Sequence, residues 1–176
     1  MDAVGRRARL ESLYRAHAGS VSRYARRRAD DEVAADVVSE VFVVAWRRLD
    51  DVPEDALPWL LGCARRVLWH QHRAEQRRLG LLERLAGSRP PESVMLELPE
   101  TSVGLALRAL SERDREALLL TAWEGLSAAQ AAAALGCSTQ AFRVRAHRAR
   151  QRLAAAMSRI DQQTHGLVSM QEEVCE

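Results

Sequence analysis

Hydrophobic positions recur every three to four residues through most of the 176-residue chain, and the alternation typical of β-strands is nearly absent. This spacing predicts helices with one buried face. The predicted helices cover residues 8–28, 32–49, about 57–78, a shorter piece near 79–86, 103–110, 112–124, 127–135 and 138–156. We therefore expect an all-α protein.

Residues 87–102 interrupt this periodicity. The segment contains three prolines, two of them adjacent, and three Glu against one Arg. Because adjacent prolines cannot lie in a helix interior, the segment is predicted to be a flexible, acidic linker. It would join two small helical domains, residues 1–86 and 103–160, and leave residues 161–176 as a frayed tail.

The second domain contains the pattern of a helix-turn-helix. Ser111 is predicted to cap one helix, and Ser127 with Gln130 forms a capping box at the start of the next. Gly125 and Gly136 stand where helices should end in a left-handed residue. A short capped helix, a turn and a second capped helix follow from these signals.

The second helix of this pattern is predicted to bury one face and present a basic one. The core face would contain Phe142, Ala146, Ala149 and Leu153. The opposite face would contain Gln140, Arg143, Val144, His147 and Arg148. Residues 140–159 hold six Arg and no acidic residue. A helix with this charge suits the DNA major groove, where it can contact base edges and phosphates. A solvated basic helix is the alternative that charge alone would favour, and the capped turn favours DNA binding.

The third predicted helix carries a second basic stripe. The stripe consists of Arg66, His70, Arg73 and Arg77, with Arg65 and Trp69 immediately beside it. Aromatic rings among basic groups are typical of single-stranded nucleic-acid binding, since the ring stacks on bases and the charge holds the backbone. The alternative is that Trp69 is a boundary core residue. The opposite side already supplies a core stripe of Leu60, Cys63, Ala64, Val67 and Gln71.

The second predicted helix shows a different surface. Opposite its valine stripe lie Asp36, Ser39, Glu40 and Arg47. An acidic patch would repel DNA, so this face is either ordinary solvated surface or a docking face for another protein. The spacing alone favours solvated surface.

Composition narrows the function classes. The 26 basic residues are all Arg, and with 24 acidic residues they give a net charge of +2, which conceals the two basic faces. No apolar run reaches the ~18 residues that span a bilayer, and no secretory signal is visible. Three widely spaced Cys support neither a disulfide framework nor a zinc knuckle. No metal site, nucleotide pocket or catalytic constellation is visible, so we expect a cytoplasmic protein that is not an enzyme and needs no cofactor.

Three stretches of the sequence resemble the extracytoplasmic-function sigma factors, small two-domain subunits of bacterial transcription initiation. They are Asp36-Val-Val-Ser-Glu-Val-Phe-Val-Val-Ala-Trp-Arg47, then Pro58-Trp-Leu-Leu-Gly-Cys-Ala-Arg-Arg66, and then the group Leu110-Ser-Glu-Arg-Asp-Arg-Glu-Ala-Leu-Leu-Leu120, Glu124-Gly-Leu-Ser127 and Arg145-Ala-His-Arg-Ala-Arg150. The resemblance spans about residues 8–157. Three such stretches in this order around a proline-bearing linker are highly specific.

The resemblance implies a role for each surface. The acidic helix would dock on the clamp coiled coil of the polymerase β′ subunit, which replaces the solvated-surface interpretation. The third helix and the loop over residues 50–56 would melt and recognise the −10 promoter element, with the loop cradling a flipped base. The last helix would recognise the −35 element as duplex, with the second domain at the β flap. The linker would thread toward the polymerase active site, and an anti-sigma factor is a plausible partner.

Four residues depart from the usual family pattern. Ser39 replaces a common Gln, Arg66 a common Asn, His70 a common Asp and Val144 a common Ser. Val144 cannot donate a hydrogen bond and could instead contact a thymine methyl group. The promoter sequence therefore does not follow from the resemblance.

Two other functions stay open at this point. The first is a free-standing helix-turn-helix regulator with an amino-terminal sensing or dimerisation lobe, which needs a symmetric dimer and a palindromic site. The second is a helical adaptor that does not bind DNA.

Overall fold

Every secondary-structure element in the described part of the chain, residues 3–86, 98 and 101–173 of a computed structural model, is helical. The α-helices are α1 (Ala3–Arg26), α2 (Asp31–Arg47), α3 (Ala56–Ala86), α4 (Ser102–Arg108), α5 (Glu112–Ala122), α6 (Ala128–Leu135) and α7 (Thr139–Glu173), with a 3-10 turn at Leu49–Asp51. The all-α prediction is confirmed. The chain divides into two compact units, residues 1–97 with 133–136, and residues 98–132 with 137–176.

The first unit is built from α1, α2 and α3, which pack against one another. The valine stripe predicted for α2 forms part of its core, since Val37 and Val41 are fully buried, as are Val21 and Tyr24 of α1. Asp30 caps α2 by accepting a hydrogen bond from the Val33 amide at 2.8 Å. Local capping and one apolar stripe thus account for this helix.

The turn between α1 and α2 contains a buried arginine. Arg28 is only 5% exposed, and its guanidinium lies 3.6 Å from the centroid of the Tyr24 ring. It also donates a hydrogen bond to the Tyr24 carbonyl at 3.0 Å. The ring face and the carbonyl oxygen therefore replace water around the charge, which lowers the free-energy cost of burying the guanidinium.

The core face predicted for α3 is buried. Leu60, Cys63, Ala64 and Val67 are all less than a tenth exposed. Burial raises the pKa of the Cys63 thiol above its ordinary value, while the charges of Arg66 and Arg48 act in the opposite direction. The thiol therefore stays protonated at neutral pH and behaves as a small core residue.

The second unit is held together by α7, which packs against both α4 and α5. Phe142, Ala146 and Ala149 of α7 are buried, as the periodicity predicts. Thr101 caps α4, and the Arg108 guanidinium near the end of that helix donates to the Leu98 carbonyl at 3.0 Å.

The signals predicted for the helix-turn-helix are confirmed one by one. Ser111 caps α5 by accepting from the Asp114 amide. The capping box at α6 is reciprocal: the Ser127 amide donates to Gln130 Oε1 at 2.9 Å, and the Gln130 amide donates to Ser127 Oγ at 3.3 Å. Gly125 and Gly136 adopt φ values of +67° and +66°, which other residues rarely adopt.

Two helices extend beyond their predicted ends. The separate piece expected near residues 79–86 is wrong, because α3 continues without a break to Ala86. Residues 161–173 of the predicted tail are helical and continue α7 to Glu173. Weak apolar periodicity suggested both ends, yet neither stretch contains a proline that would terminate backbone hydrogen bonding. Residues 87–97, 99 and 100 of the predicted linker, and Cys175, lie outside the described residues, and Ser102 begins α4.

Candidate nucleic-acid interface

The exposed face of α7 carries all five residues that the sequence predicts for contact with duplex DNA. They are Gln140, Arg143, Val144, His147 and Arg148, each of them exposed. Ser138 begins this helix by accepting a hydrogen bond from the Ala141 amide at 3.2 Å. Because Phe142 is 1% exposed, the helix is fixed in rotation and its opposite side faces solvent. The result is a helix surface with two arginines and one exposed apolar residue, Val144.

Arg152 has a different role from the other arginines of α7. Its guanidinium forms an ion pair with the carboxylate of Asp114, whose side chain is only 8% exposed. The pair ties α7 to the first turn of α5. One of the six positive charges counted over residues 140–159 is therefore compensated within the unit, and the remaining charge is weighted toward the beginning of the helix.

The basic surface of α3 is organised around Trp69. This indole is 43% exposed, so a large part of its ring is open to solvent. The Arg73 guanidinium lies over the ring, 4.7 Å from its centroid, and the His70 ring meets it edge-on at 5.0 Å. These three side chains form one cluster in which an aromatic ring contacts two basic groups.

The remaining predicted residues of α3 differ in exposure. Arg66 and Arg77 are exposed together with His70 and Arg73. Arg65 is half-buried, and its Nε has no hydrogen-bond partner among the described residues. Arg65 is therefore held closer to the protein than the rest of the stripe.

The loop before α3 is braced by arginines. Arg48 contacts the Asp51 carboxylate at 2.9 Å, and Leu49 and Val52 anchor the 3-10 turn in the core. From α1, Arg6 donates to Asp50 Oδ2 at 2.8 Å and Arg9 donates to the Val52 carbonyl at 2.7 Å. Sequence reasoning missed Arg6 and Arg9, since the contacts join positions more than 40 residues apart. The only local signal is their spacing of three on one helix, which places both on one face.

The exposed face of α2 contains all four residues predicted for it, Asp36, Ser39, Glu40 and Arg47. Ser39 Oγ donates to the Ala35 carbonyl at 3.0 Å, so its hydroxyl is already engaged within the helix. Val43 is 46% exposed and shares this stripe, three residues after Glu40. Sequence reasoning missed Val43, although the helical spacing from Asp36 and Glu40 indicates it. The face is therefore acidic with an apolar centre.

The described ranges hold neither a metal-binding cluster nor a membrane-spanning helix. Residues 3–86, 98 and 101–173 contain no group of three or more His, Cys, Asp or Glu side chains placed to hold a metal ion. None of the helices described combines the length and apolar character needed to cross a membrane.

Comparison with known proteins assigns the family. Residues 13–78 match the family model for Sigma-70 region 2, and residues 95–153 match that for Sigma-70, region 4. RNA polymerase sigma factor CnrH of Cupriavidus metallidurans is 36% identical over 137 residues, covering 69% of this chain and 72% of that one. The ECF RNA polymerase sigma factor SigD of Mycobacterium tuberculosis is 35% identical over 145 residues, covering 79% and 67%. This chain belongs to the ECF sigma-factor family.

A solved structure agrees with this sigma-factor assignment. CnrH in complex with the cytosolic domain of CnrY is 26% identical, with a TM-score of 0.58 over 85% of this chain and 87% of that chain. The region 2 match contains α2, the loop and the Trp69 cluster, and the region 4 match contains the exposed face of α7. Sigma factors direct RNA polymerase to initiate transcription, and the free-standing regulator is not favoured. Arg6 and Arg9 lie before the matched range.

Proposed function

We propose that this sigma factor binds core RNA polymerase through α2, recognises the −35 element as duplex through α7, and holds the melted −10 strand against α3. The observation that carries the proposal is the presence, in one chain of this family, of two basic surfaces with different chemistry. One has an exposed aromatic ring in contact with basic groups, and the other has a groove-sized helix face with its aromatic residue buried. Single strands and duplexes require these two arrangements respectively.

For duplex recognition we assign Gln140, Arg143, Val144, His147 and Arg148 to the −35 element. Arginine pairs bidentately with guanine edges and contacts phosphates, and glutamine pairs with adenine. Val144 stands where the family commonly has Ser, and its exposed methyl groups can contact a thymine methyl group. We therefore expect this sigma factor to prefer a thymine at the base pair opposite Val144.

For the melted −10 strand we assign Arg65, Arg66, Trp69, His70, Arg73 and Arg77. An unpaired base stacks on the exposed indole, which Arg73 already orients, while the exposed arginines hold the phosphates. Arg66 and His70 replace residues that are neutral or acidic elsewhere in the family, so this surface is more basic than usual. The loop over residues 50–56 lies directly before this helix and is assigned to a flipped base.

For docking we assign Asp36, Ser39, Glu40 and Arg47 to the β′ clamp coiled coil, with the second unit at the β flap. An acidic face is suited to a basic partner and excludes DNA. Ser39 is shorter than the common Gln and its hydroxyl is engaged with Ala35, so its own contribution to docking is small. In this assignment residues 1–86 and 103–160 are the two promoter-binding domains, residues 87–102 the linker within polymerase and 161–176 a tail.

The protein supplies recognition and no catalysis, because nucleotidyl transfer belongs to the polymerase. It therefore needs no cofactor and acts in the cytoplasm, where the polymerase is. CnrH, which resembles this chain, binds the cytosolic domain of CnrY, and this supports a further protein partner, for which we propose an anti-sigma factor.

The test is transcription by core polymerase over a library of genomic promoters, with and without this chain. We expect promoter-dependent transcripts only when the chain is present. Absence of such transcripts, or tight binding of the isolated chain to a palindrome as a symmetric dimer, would overturn the proposal in favour of a free-standing regulator.

Docking is tested by Asp36→Arg. Reversing this exposed charge should weaken binding to core polymerase about 10- to 100-fold, because the acidic face then repels its partner. Asp36→Glu keeps the charge and should bind as the wild type does. Glu11→Arg makes the same change of charge on α1, at a residue paired with Arg7, and controls for net charge. Affinity is measured by fluorescence anisotropy, and equal losses for Asp36→Arg and Glu11→Arg would contradict the docking role.

A further inference from the structure

We propose that Arg6 and Arg9 are positioning residues that hold the loop before α3 in the shape that accepts the melted −10 strand. The inference rests on the proposed function and adds to it a pair of residues outside the region 2 match, which begins at residue 13. They touch the loop and not the DNA.

Arg9 fixes the end of the 3-10 turn. Its Nη2 donates to the Val52 carbonyl at 2.7 Å in a partly buried contact, and Val52 itself is 3% exposed. A hydrogen bond from a charged donor is stronger than a neutral one, and partial burial protects it from competition by water. The backbone at Val52 is therefore anchored both by its side chain in the core and by its carbonyl on α1.

Arg6 bridges the two sides of the same loop. One nitrogen, Nη1, donates to Asp50 Oδ2 at 2.8 Å, and the other, Nη2, donates to the Trp46 carbonyl at 3.1 Å. The guanidinium also lies 5.3 Å from the centroid of the Trp46 ring. The Trp46 carbonyl belongs to the last turn of α2, where carbonyls lack partners within the helix. Arg6 thus joins the end of α2 to the 3-10 turn.

The placement on α1 is specific to these two arginines. Residues 6 and 9 are three apart and share one face of the helix. Arg7 lies between them, points elsewhere and pairs with Glu11 of the same helix at 3.0 Å. Arg7 is therefore a matched control, with the same side chain on the same helix but with its guanidinium paired to Glu11 and not to the loop.

The loop needs such bracing because it is acidic. Asp50, Asp51, Glu54 and Asp55 lie within six residues, immediately before the basic surface of α3. The Asp50 side chain is 71% exposed, and Arg6 provides its counter-charge, as Arg48 does for Asp51. Without Arg6 the carboxylate of Asp50 would repel an approaching phosphate backbone, and the loop would lose an anchor against conformational disorder.

The experiment compares Arg6→Ala and Arg9→Ala with Arg7→Ala in the holoenzyme. Promoter opening is followed by 2-aminopurine fluorescence in the −10 element, and base preference is measured on pre-melted templates that carry each base in turn. We expect Arg6→Ala and Arg9→Ala each to lower the opening equilibrium about tenfold and to flatten base preference, as loss of a charge-assisted hydrogen bond predicts. Binding to core polymerase and to −35 duplex should stay at the wild-type level.

Lysine substitutions separate positioning from a general structural role. Arg9→Lys can still donate to a single carbonyl and should restore opening, whereas Arg6→Lys cannot bridge two acceptors in the same geometry and should not. These variants keep the charge and test the proposal if an alanine variant fails to fold, as judged by circular dichroism.

The outcomes are distinct. Opening and base preference equal to those of Arg7→Ala in both alanine variants, with an active wild type, would overturn this inference and leave the proposed function intact. Equal loss of core binding, duplex binding and opening would show a structural role and also overturn it. A wild-type chain without promoter-dependent transcripts overturns the proposed function and this inference with it.

Discussion

The basic surface of α3 is built around an exposed indole, whereas the basic surface of α7 is built behind a buried phenyl ring. Trp69 is 43% exposed and lies beneath Arg73, while Phe142 is 1% exposed and faces the core. Both helices carry arginines at helical spacing, so charge alone does not distinguish them. The position of the aromatic ring does, because a ring at the surface offers a stacking platform and a ring in the core leaves a helix that fits a groove.

The two surfaces also differ in how they are held. The start of α7 is set by bonds within its own turn, by Ser138 and by the left-handed Gly136, with one ion pair from Arg152 to Asp114. The loop before α3 is set by arginines from α1, across more than 40 residues of sequence. The surface that we propose for rigid duplex is thus fixed locally, and the surface that we propose for a deformable strand depends on distant contacts.

The largest expected effect comes from substitutions on the basic surface of α7. Arg143→Ala combined with Arg148→Ala should weaken binding of holoenzyme to −35 duplex by roughly 2–4 kcal/mol, because two base or phosphate contacts are lost. Activity on templates with a pre-melted −10 element should change far less.

Arg159→Ala is the matched control, since Arg159 lies on the same helix and donates to the Ala155 carbonyl of its own turn. Competition binding with duplex fragments measures the effect. An equal loss on duplex and pre-melted templates would mean that the two surfaces are not specialised.

A smaller effect is expected from α3. Trp69→Ala should weaken capture of the melted strand by about 1–3 kcal/mol, the value of one stacked base, without a change in −35 binding. Trp69→Phe should retain part of the stacking. Because the indole is exposed, we expect a loss of at most about 1 kcal/mol in unfolding free energy. Loss of duplex binding in Trp69→Ala would contradict the assignment.

The smallest expected effect comes from Arg73, whose guanidinium lies over the Trp69 ring. Arg73→Ala removes the cation over the ring and should cost about 0.5–1 kcal/mol in strand capture, the range of an exposed cation–π contact. The loss should shrink as salt is raised, because part of it is attraction to phosphates. Arg73→Lys restores the charge with poorer stacking. A loss as large as that of Trp69→Ala would show that Arg73 contacts the strand directly.

Local signals in the sequence predicted the fold well. Helix caps and left-handed turns depend on neighbours within a few residues, so a short stretch of sequence is enough to predict them. This holds for the caps at Ser111 and Ser127 and for the glycines at 125 and 136. Apolar spacing likewise predicted the buried faces of α2, α3 and α7. The exposure of the site residues other than Arg65 followed from the same spacing, since a helix that buries one face presents the other.

Contacts between distant segments could not be predicted in this way. The Arg152–Asp114 pair joins residues 38 apart, and the Arg6–Asp50 pair joins residues 44 apart. A count of charges along the sequence treats both arginines as unpaired surface residues. The ends of α3 and α7 were missed for a different reason, because helices continue past weak amphipathic spacing when no residue breaks the backbone hydrogen bonds.

The helix-turn-helix formed by α6 and α7 has a consequence for the order of folding. Its hydrogen bonds, from the Ser127–Gln130 exchange to the bond between the Cys137 amide and the Ala132 carbonyl, span five residues or fewer. Contacts this close in sequence form without the entropy cost of closing a long loop, and chains rich in them fold fast. The helix-turn-helix should therefore take shape early, whereas the loop before α3 must wait until α1 has docked.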